Sequence, residues 1–149
     1  KTFLSIGSGP GMGMATASRF ADEGFRVILS SRNKSNVAAQ ADQLERLDLP
    51  RKAARGEGAI LLTGGMFATQ PHPEYLTLSI GKAGLLNLTH GLFPVLKAQN
   101  IHLSIVTVGA YVTPGSAEAR EIADLFWQQY RQPSAQWTAE AFYPVPHHQ

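Results

Sequence analysis

The run Gly7-Ser8-Gly9-Pro10-Gly11-Met12-Gly13 carries the strongest chemical signal in the chain. In isolation it is an ordinary tight turn. Placed between a short apolar segment and a helical one, it suits the holding of a pyrophosphate. The chain must turn sharply off a strand, its backbone must approach the phosphates with no Cβ in the way, and the helix must pack closely on the sheet. The helix N-terminus then offers unpaired N–H groups and the positive end of its dipole. A nucleotide-triphosphate loop is disfavoured, because no Lys-Ser or Lys-Thr follows the last glycine. Gly7, Ser8, Gly9, Gly11, Met12 and Gly13 are therefore expected to bind a dinucleotide.

The end of the next β-rich segment selects between dinucleotides. A carboxylate there accepts hydrogen bonds from the adenine ribose, whereas an arginine suits a 2′-phosphate. The chain reads Ser30-Ser31-Arg32-Asn33-Lys34, with no acid among them. Arg32 can fork onto a phosphate while Ser31 donates its hydroxyl, so NADP(H) is expected over NAD(H). A solvated turn arginine is the plainer alternative.

These residues need a frame. Residues 2–6 read as a buried strand and 26–30 as a second. Between them, 11–24 reads as a helix whose Met14, Ala17, Phe20 and Ala21 share a face before a stop at Gly24. Strand, helix, strand within about 30 residues is a βαβ unit with parallel strands and a right-handed crossover. A second helix follows at 36–47, with Val37, Ala41 and Leu44 inward. Further along come a strand at 59–63, a loop over 64–73 and a long helix over 74–98. Pro94 should kink that helix or mark its last turn. Its core face is expected to be Leu85, Leu88, Leu92 and Leu96. A strand at 101–108 and a final helix over 116–131 complete the reading, and Pro144 and Pro146 mark a loose tail.

A length of 149 residues suits one domain, and 44% hydrophobic with 16% charged residues excludes a disordered or collagen-like chain. The absence of cysteine excludes disulfides, a thiolate zinc site and a cysteine nucleophile. No His/Asp/Glu set has metal-ligand spacing. Thirteen cations stand against 11 anions, and the densest basic group, Arg51, Lys52 and Arg55, reads as a solvated surface rather than a nucleic-acid patch. No apolar run approaches the roughly 18–20 residues of a membrane span, and no leader pattern opens the chain. The expectation is a cytoplasmic protein acting on a small molecule, with neither nucleic acid nor membrane as partner. The chain opens at Lys1 rather than a methionine, from which a longer natural polypeptide is expected.

Gly7-x-x-x-Gly11-x-Gly13 after the first strand, with a lysine in a long helix after a later one, resembles the short-chain dehydrogenase/reductases over residues 2–47 and 57–115. The resemblance implies a Rossmann-type α/β three-layer sandwich with a parallel sheet, and a homodimer or homotetramer joined through the long helix. It implies that Lys82, in Gly81-Lys82-Ala83-Gly84, holds the nicotinamide ribose hydroxyls. Four residues earlier the family carries tyrosine, but here stands Leu78; thirteen before that it carries serine, but here stands Gly65. Neither can donate a proton. Tyr75 instead forms Tyr-x6-Lys with Lys82, the spacing of the enoyl-thioester reductase branch. There the tyrosine hydrogen-bonds the thioester carbonyl and stabilises the developing enolate. Seven residues return to within about 20° of one helical face, about 10 Å along the axis.

Val108-Gly109-Ala110-Tyr111-Val112-Thr113 is similar to the family's Pro-Gly-x-x-x-Thr segment. This implies that the backbone around Gly109 and Tyr111 meets the nicotinamide carboxamide, and that Thr113 contacts the carboxamide or the phosphates. His72 lies in the loop before the long helix, where it can line a substrate pocket or simply be exposed.

Between the second helix and the strand at 59–63 the family places further strands and helices, whereas this chain has only residues 48–57. Either an internal segment is missing near 48–57 from a single dinucleotide-binding domain over 1–149, or a shortened form carries a four-stranded parallel sheet of order 2-1-3-4. In both, the middle strands are lacking. Two functions fit. Lys82 and Tyr75 favour a reductase acting on a carbonyl or an activated (enoyl) double bond. Leu78 and Gly65 favour a non-catalytic dinucleotide sensor on the same fold.

Overall fold

The computed structural model describes residues 1–7, 9–30 and 58–144. These form two compact units, one from the described part of Lys1–Gly56 with Tyr111–Trp127, the other from Glu57–Ala110 with Gln128–Gln149. The expected helix at 36–47 and the joint at 48–57 lie outside the described residues.

The first unit is the βαβ arrangement that its apolar spacing requires. Strand β1 (Thr2–Ile6) pairs in parallel with β2 (Arg26–Ser30), from Thr2 opposite Arg26 to Ile6 opposite Ser30. Helix α1 (Met12–Asp22) connects them and buries Met14, Ala17, Phe20 and Ala21, the predicted stripe. The helix ends in a Schellman motif: Gly24, at φ +79°, donates to the Ala21 carbonyl, and Phe25 donates to that of Phe20. The Phe20 ring stacks on Phe3 at 4.4 Å and meets Phe25 and Trp127 edge-on. Arg19 bridges Glu23 and Asp124, both at 2.7 Å, and covers the Trp127 ring. Ser116 accepts a hydrogen bond from the Ala119 N–H and so caps the N-terminus of α3 (Ala117–Arg131), whose last turn lies in the second unit.

One expectation fails here. The strand at 2–6 exists but is not buried through its length. It alternates, leaving Leu4, Ile6 and Ile28 exposed on one side. Helix α1 packs on both strands.

The second unit holds three parallel strands in the order β3 (Gly58–Thr63), β4 (Ile101–Val108), β5 (Glu140–Tyr143). Gly58 stands opposite Ile101, and Ile105 opposite Glu140. Central β4 is the core, with Leu103, Ile105 and Val106 buried. It also buries polar side chains: Ser104 donates to Gln129 at 3.0 Å, Thr107 to Glu140 at 2.6 Å, and the His102 Nε2 meets the Thr138 carbonyl while its ring stacks on Trp137. Hydrogen bonding among the described residues thus gives two sheets, not one of order 2-1-3-4. Strand β5 was not expected at all, since the prolines after it read as a loose tail.

Helix α2 (Leu76–Ala98) follows a 3-10 turn at Pro73–Tyr75 and runs four residues past Pro94, which therefore falls in its final turns. Its predicted core face is wrong in part. Leu88 and Leu92 are 52% and 40% exposed, whereas Ser79 and Thr89 are buried. A helix approaches a sheet closely through small side chains, so the inner stripe runs through Ser79, Lys82, Leu86, Thr89, Phe93 and Leu96. Among the described residues, no helix is long and apolar enough to cross a membrane.

Candidate functional site

In parallel α/β sheets ligands bind beyond the carboxyl ends of the strands. In the first unit that position belongs to the glycine turn. Gly7 leaves β1 at φ +75°, a left-handed conformation, while its N–H still donates to the Ser30 carbonyl at 2.7 Å. A side chain there carries a steric penalty that glycine avoids. At Gly9 an added Cβ would meet nothing within 4 Å, so its backbone faces open space. Gly11 stands at the N-cap of α1, with no side-chain cap and no acid in the first turn. The Met14 N–H donates to the Gly9 carbonyl at 3.0 Å, while the Met12 and Gly13 N–H groups are available to a ligand, with no acid in the first turn competing for them. Met12 and Gly13 form that first turn, half-buried. The segment before α3 comes alongside: the Pro114 nitrogen lies 4.0 Å from the place a Gly11 Cβ would take. Thr113, next to it, is exposed, and Tyr111 more so.

In the second unit the ends of β3 and β4 and the start of α2 converge. Lys82 Nζ donates to the Thr63 carbonyl at 2.9 Å, where β3 ends. Burial of the half-covered side chain pushes its pKa below the ordinary lysine value. An ammonium has three donors, so two remain after Thr63 is served. Gly64 is packed so closely that a Cβ would come within 2.9 Å of Thr107 Oγ1. Gly65 is roomier, and its Cβ would reach ordinary contact with Lys82 Cε at 3.7 Å and the Val108 carbonyl at 3.8 Å. Gly109 closes the group from β4, its N–H donating to the Tyr143 carbonyl and its α-carbon against Met66.

Tyr75 stands at the start of α2 with its ring stacked on Phe67 at 5.5 Å and 14°. Its hydroxyl makes no hydrogen bond with any described residue. His72 tilts against both rings, at 5.5 Å from Tyr75 and 6.2 Å from Phe67. Leu78, four residues before Lys82, is largely solvent-facing.

The structure therefore brings Gly7, Gly9, Gly11, Met12 and Gly13 together with Thr113 in one unit, and Lys82 with Gly65 and Gly109 in the other. Ser8, Ser31 and Arg32 lie outside the described residues. The sequence reading missed Thr63, Phe67 and Ser79. Ser79 carried a usable signal, being three residues from Lys82 and so on its helical face. No local pattern distinguishes Phe67.

No family model matches the chain. It is 25% identical over 134 residues to sulfoacetaldehyde reductase 2 of Chromohalobacter salexigens, covering 72% of this chain and 53% of that protein. It is 28% identical over 136 residues to serine 3-dehydrogenase of Agrobacterium fabrum, covering 74% and 55%. Its fold superposes on that of a metagenomic short-chain oxidoreductase solved with NADP, at a TM-score of 0.80 and 14% identity, over 95% of this chain and 96% of that one. The chain is thus similar in sequence to curated reductases and dehydrogenases and shares the fold of solved short-chain oxidoreductases. It spans about half the length of the curated relatives it matches. Its parallel strands and helices give an α/β framework like that of the solved short-chain oxidoreductase. Where the resemblance to short-chain dehydrogenase/reductases implies a serine and a tyrosine, this chain carries Gly65 and Leu78.

Proposed function

We infer that the protein is an oxidoreductase that uses NADP(H) to reduce a carbonyl or an activated (enoyl) double bond of a small substrate. The observation that carries this reading is Lys82, a half-buried amine with two free donors at the carboxyl ends of parallel strands. The left-handed Gly7, the open Gly9 and the uncapped, acid-free start of α1 fit a pyrophosphate. A structural neighbour holds NADP. When bound, such a dinucleotide supplies the hydride.

The chain's own residues do the remainder. The backbone at Gly7, Ser8, Gly9, Gly11, Met12 and Gly13 receives the phosphates. Ser31 and Arg32 take the 2′-phosphate, which is the basis for preferring NADP(H). Lys82 holds the ribose hydroxyls, Gly109 and Tyr111 present backbone to the carboxamide, and Thr113 adds its hydroxyl. Tyr75 donates to the substrate oxygen as negative charge gathers on it. The exposed side of α2, with Ile80, Leu88 and Leu92, joins copies into a dimer or tetramer.

The test follows NADPH absorbance against ketones, quinones and enoyl thioesters, beside dissociation constants for NADPH and NADH. Oxidation by at least one class and tighter NADPH binding are expected; equal or tighter NADH binding overturns the cofactor assignment. Leu78 and Gly65, which offer no proton, favour a second reading as a non-catalytic dinucleotide sensor. NADPH binding with no oxidation across the panel would establish that one.

A further inference from the structure

Three aromatic rings gather at the start of α2. The loop leaving β3 passes Gly65, where a Cβ would lie 3.7 Å from Lys82 Cε, and two residues later presents Phe67. Phe67 and Tyr75 stack nearly parallel, and the His72 ring leans on both. The group is not a buried core: Tyr75 is 51% exposed and His72 is exposed as well. It is nonetheless held in place. Ser79, 3% exposed, donates its hydroxyl to the Tyr75 carbonyl at 2.9 Å and accepts the His72 N–H at 3.4 Å. The Tyr75 N–H returns to the His72 carbonyl at 2.9 Å.

The histidine is also fixed in tautomer. Its Nδ1 accepts the Glu74 N–H at 3.3 Å, capping the 3-10 turn. A neutral imidazole that accepts at Nδ1 carries its proton on Nε2. The surface therefore offers π-faces together with two donors, the Nε2–H of His72 and the Tyr75 hydroxyl. That combination suits a flat, conjugated ligand ending in a carbonyl acceptor.

We propose that Phe67, His72 and Tyr75 form the substrate shelf, selecting planar aryl-conjugated carbonyl compounds, with His72 Nε2–H as a hydrogen-bond donor to the carbonyl oxygen. This assignment deepens the reductase reading and rests on it for the role of the shelf as a substrate site.

Saturation-transfer NMR titrations on the full chain, with and without NADP+, test it using three probes. Benzylideneacetone is flat and carries the carbonyl. 4-Cyclohexylbutan-2-one keeps the carbonyl without the π-face, and trans-β-methylstyrene keeps the π-face without the carbonyl. Benzylideneacetone is expected to bind about fivefold or more tighter than the cyclohexyl ketone. Phe67→Leu should abolish that preference, and Tyr75→Leu, at an exposed position, reads the same effect should the Phe67 variant not fold. His72→Phe keeps a ring but removes the donor; it should weaken benzylideneacetone several-fold and leave trans-β-methylstyrene unchanged. Equal affinity for the flat and saturated ketones, or a preference that survives both the Phe67 and Tyr75 substitutions, overturns the shelf. NADPH affinity, read separately by nucleotide fluorescence, keeps the two readings apart. NADPH binding and oxidation without any preference for flat ligands defeats the shelf alone. Shelf-dependent binding of benzylideneacetone by a chain that does not bind NADPH upholds the shelf as a ligand site and defeats the reductase reading.

Discussion

The Lys82 amine donates to the main-chain carbonyl of Thr63 at 2.9 Å, so the end of β3 anchors the α2 side chain proposed to hold a ribose. The bond fixes a long, flexible side chain in a half-buried position, where desolvation depresses its pKa. Lys82→Met should fold, since a methionine fills similar volume without a charge to desolvate. Its NADPH affinity should fall, and turnover should drop by roughly two orders of magnitude, as expected when a positioning contact is lost. The pH dependence has a definite sign. With the folded pKa below the ordinary 10.5, the unfolded chain holds more protons between the two values, so wild-type stability rises with pH across that window. The stability difference favouring Lys82→Met should therefore be largest below the folded pKa and shrink as pH rises towards 10.5. Melting temperatures of both proteins between neutral pH and 10.5 check this.

Gly7 and Gly9 make opposite demands. Gly7 sits at φ +75°, so Gly7→Ala should destabilise the first unit by about 1–2 kcal/mol through backbone strain. At Gly9 a Cβ meets no protein atom within 4 Å. Gly9→Ala should leave the melting temperature nearly unchanged and lower NADPH affinity, because the methyl occupies the space the phosphates need. Thermal denaturation and NADPH titration of the two variants separate the effects.

A comparable pair lies after β3. Gly64→Ala drives a methyl to within 2.9 Å of Thr107 Oγ1 and 3.0 Å of Ile105, both in the core of β4, and should cost about 1–3 kcal/mol. Gly65→Ser meets only ordinary contacts, the shortest 3.7 Å, and should change stability by no more than about 0.5 kcal/mol. It places a hydroxyl at the position where the resemblance to short-chain dehydrogenase/reductases implies a serine. Chemical denaturation distinguishes the two glycines.

What the sequence revealed follows from how local each signal is. The glycine turn, α1 and Gly24 were legible because strand end, left-handed residue and helix stop are set by neighbouring residues. The paired strands β3 and β4 announced themselves as apolar runs. The inner face of α2 did not, because close packing on β4 selected Ser79 and Thr89 over the leucines that hydrophobicity singles out. Strand β5 is four residues long and ends at a proline; only its ladder with β4, and the Glu140–Thr107 bond, make it a strand. Phe67 owes its position to a loop whose course no short-range pattern dictates.

Tyr75 provides the sharpest test of the chemistry. Its ring is fixed against Phe67 and its backbone is tied to Ser79, so removing the hydroxyl alone changes neither. If that hydroxyl stabilises the charge developing on the substrate oxygen, Tyr75→Phe should lower kcat by about 10²–10³, the usual effect of losing one such donor. NADPH affinity should not change, since the proposed cofactor contacts belong to the glycine turn and Lys82. Stability should also hold, because the hydroxyl has no hydrogen-bond partner among the described residues to lose. Steady-state kinetics on whichever substrate class is turned over, beside an NADPH titration, measures both quantities. A kcat within twofold of wild type would remove Tyr75 from the reaction and leave Lys82 as the remaining one of the two side chains first proposed as catalytic.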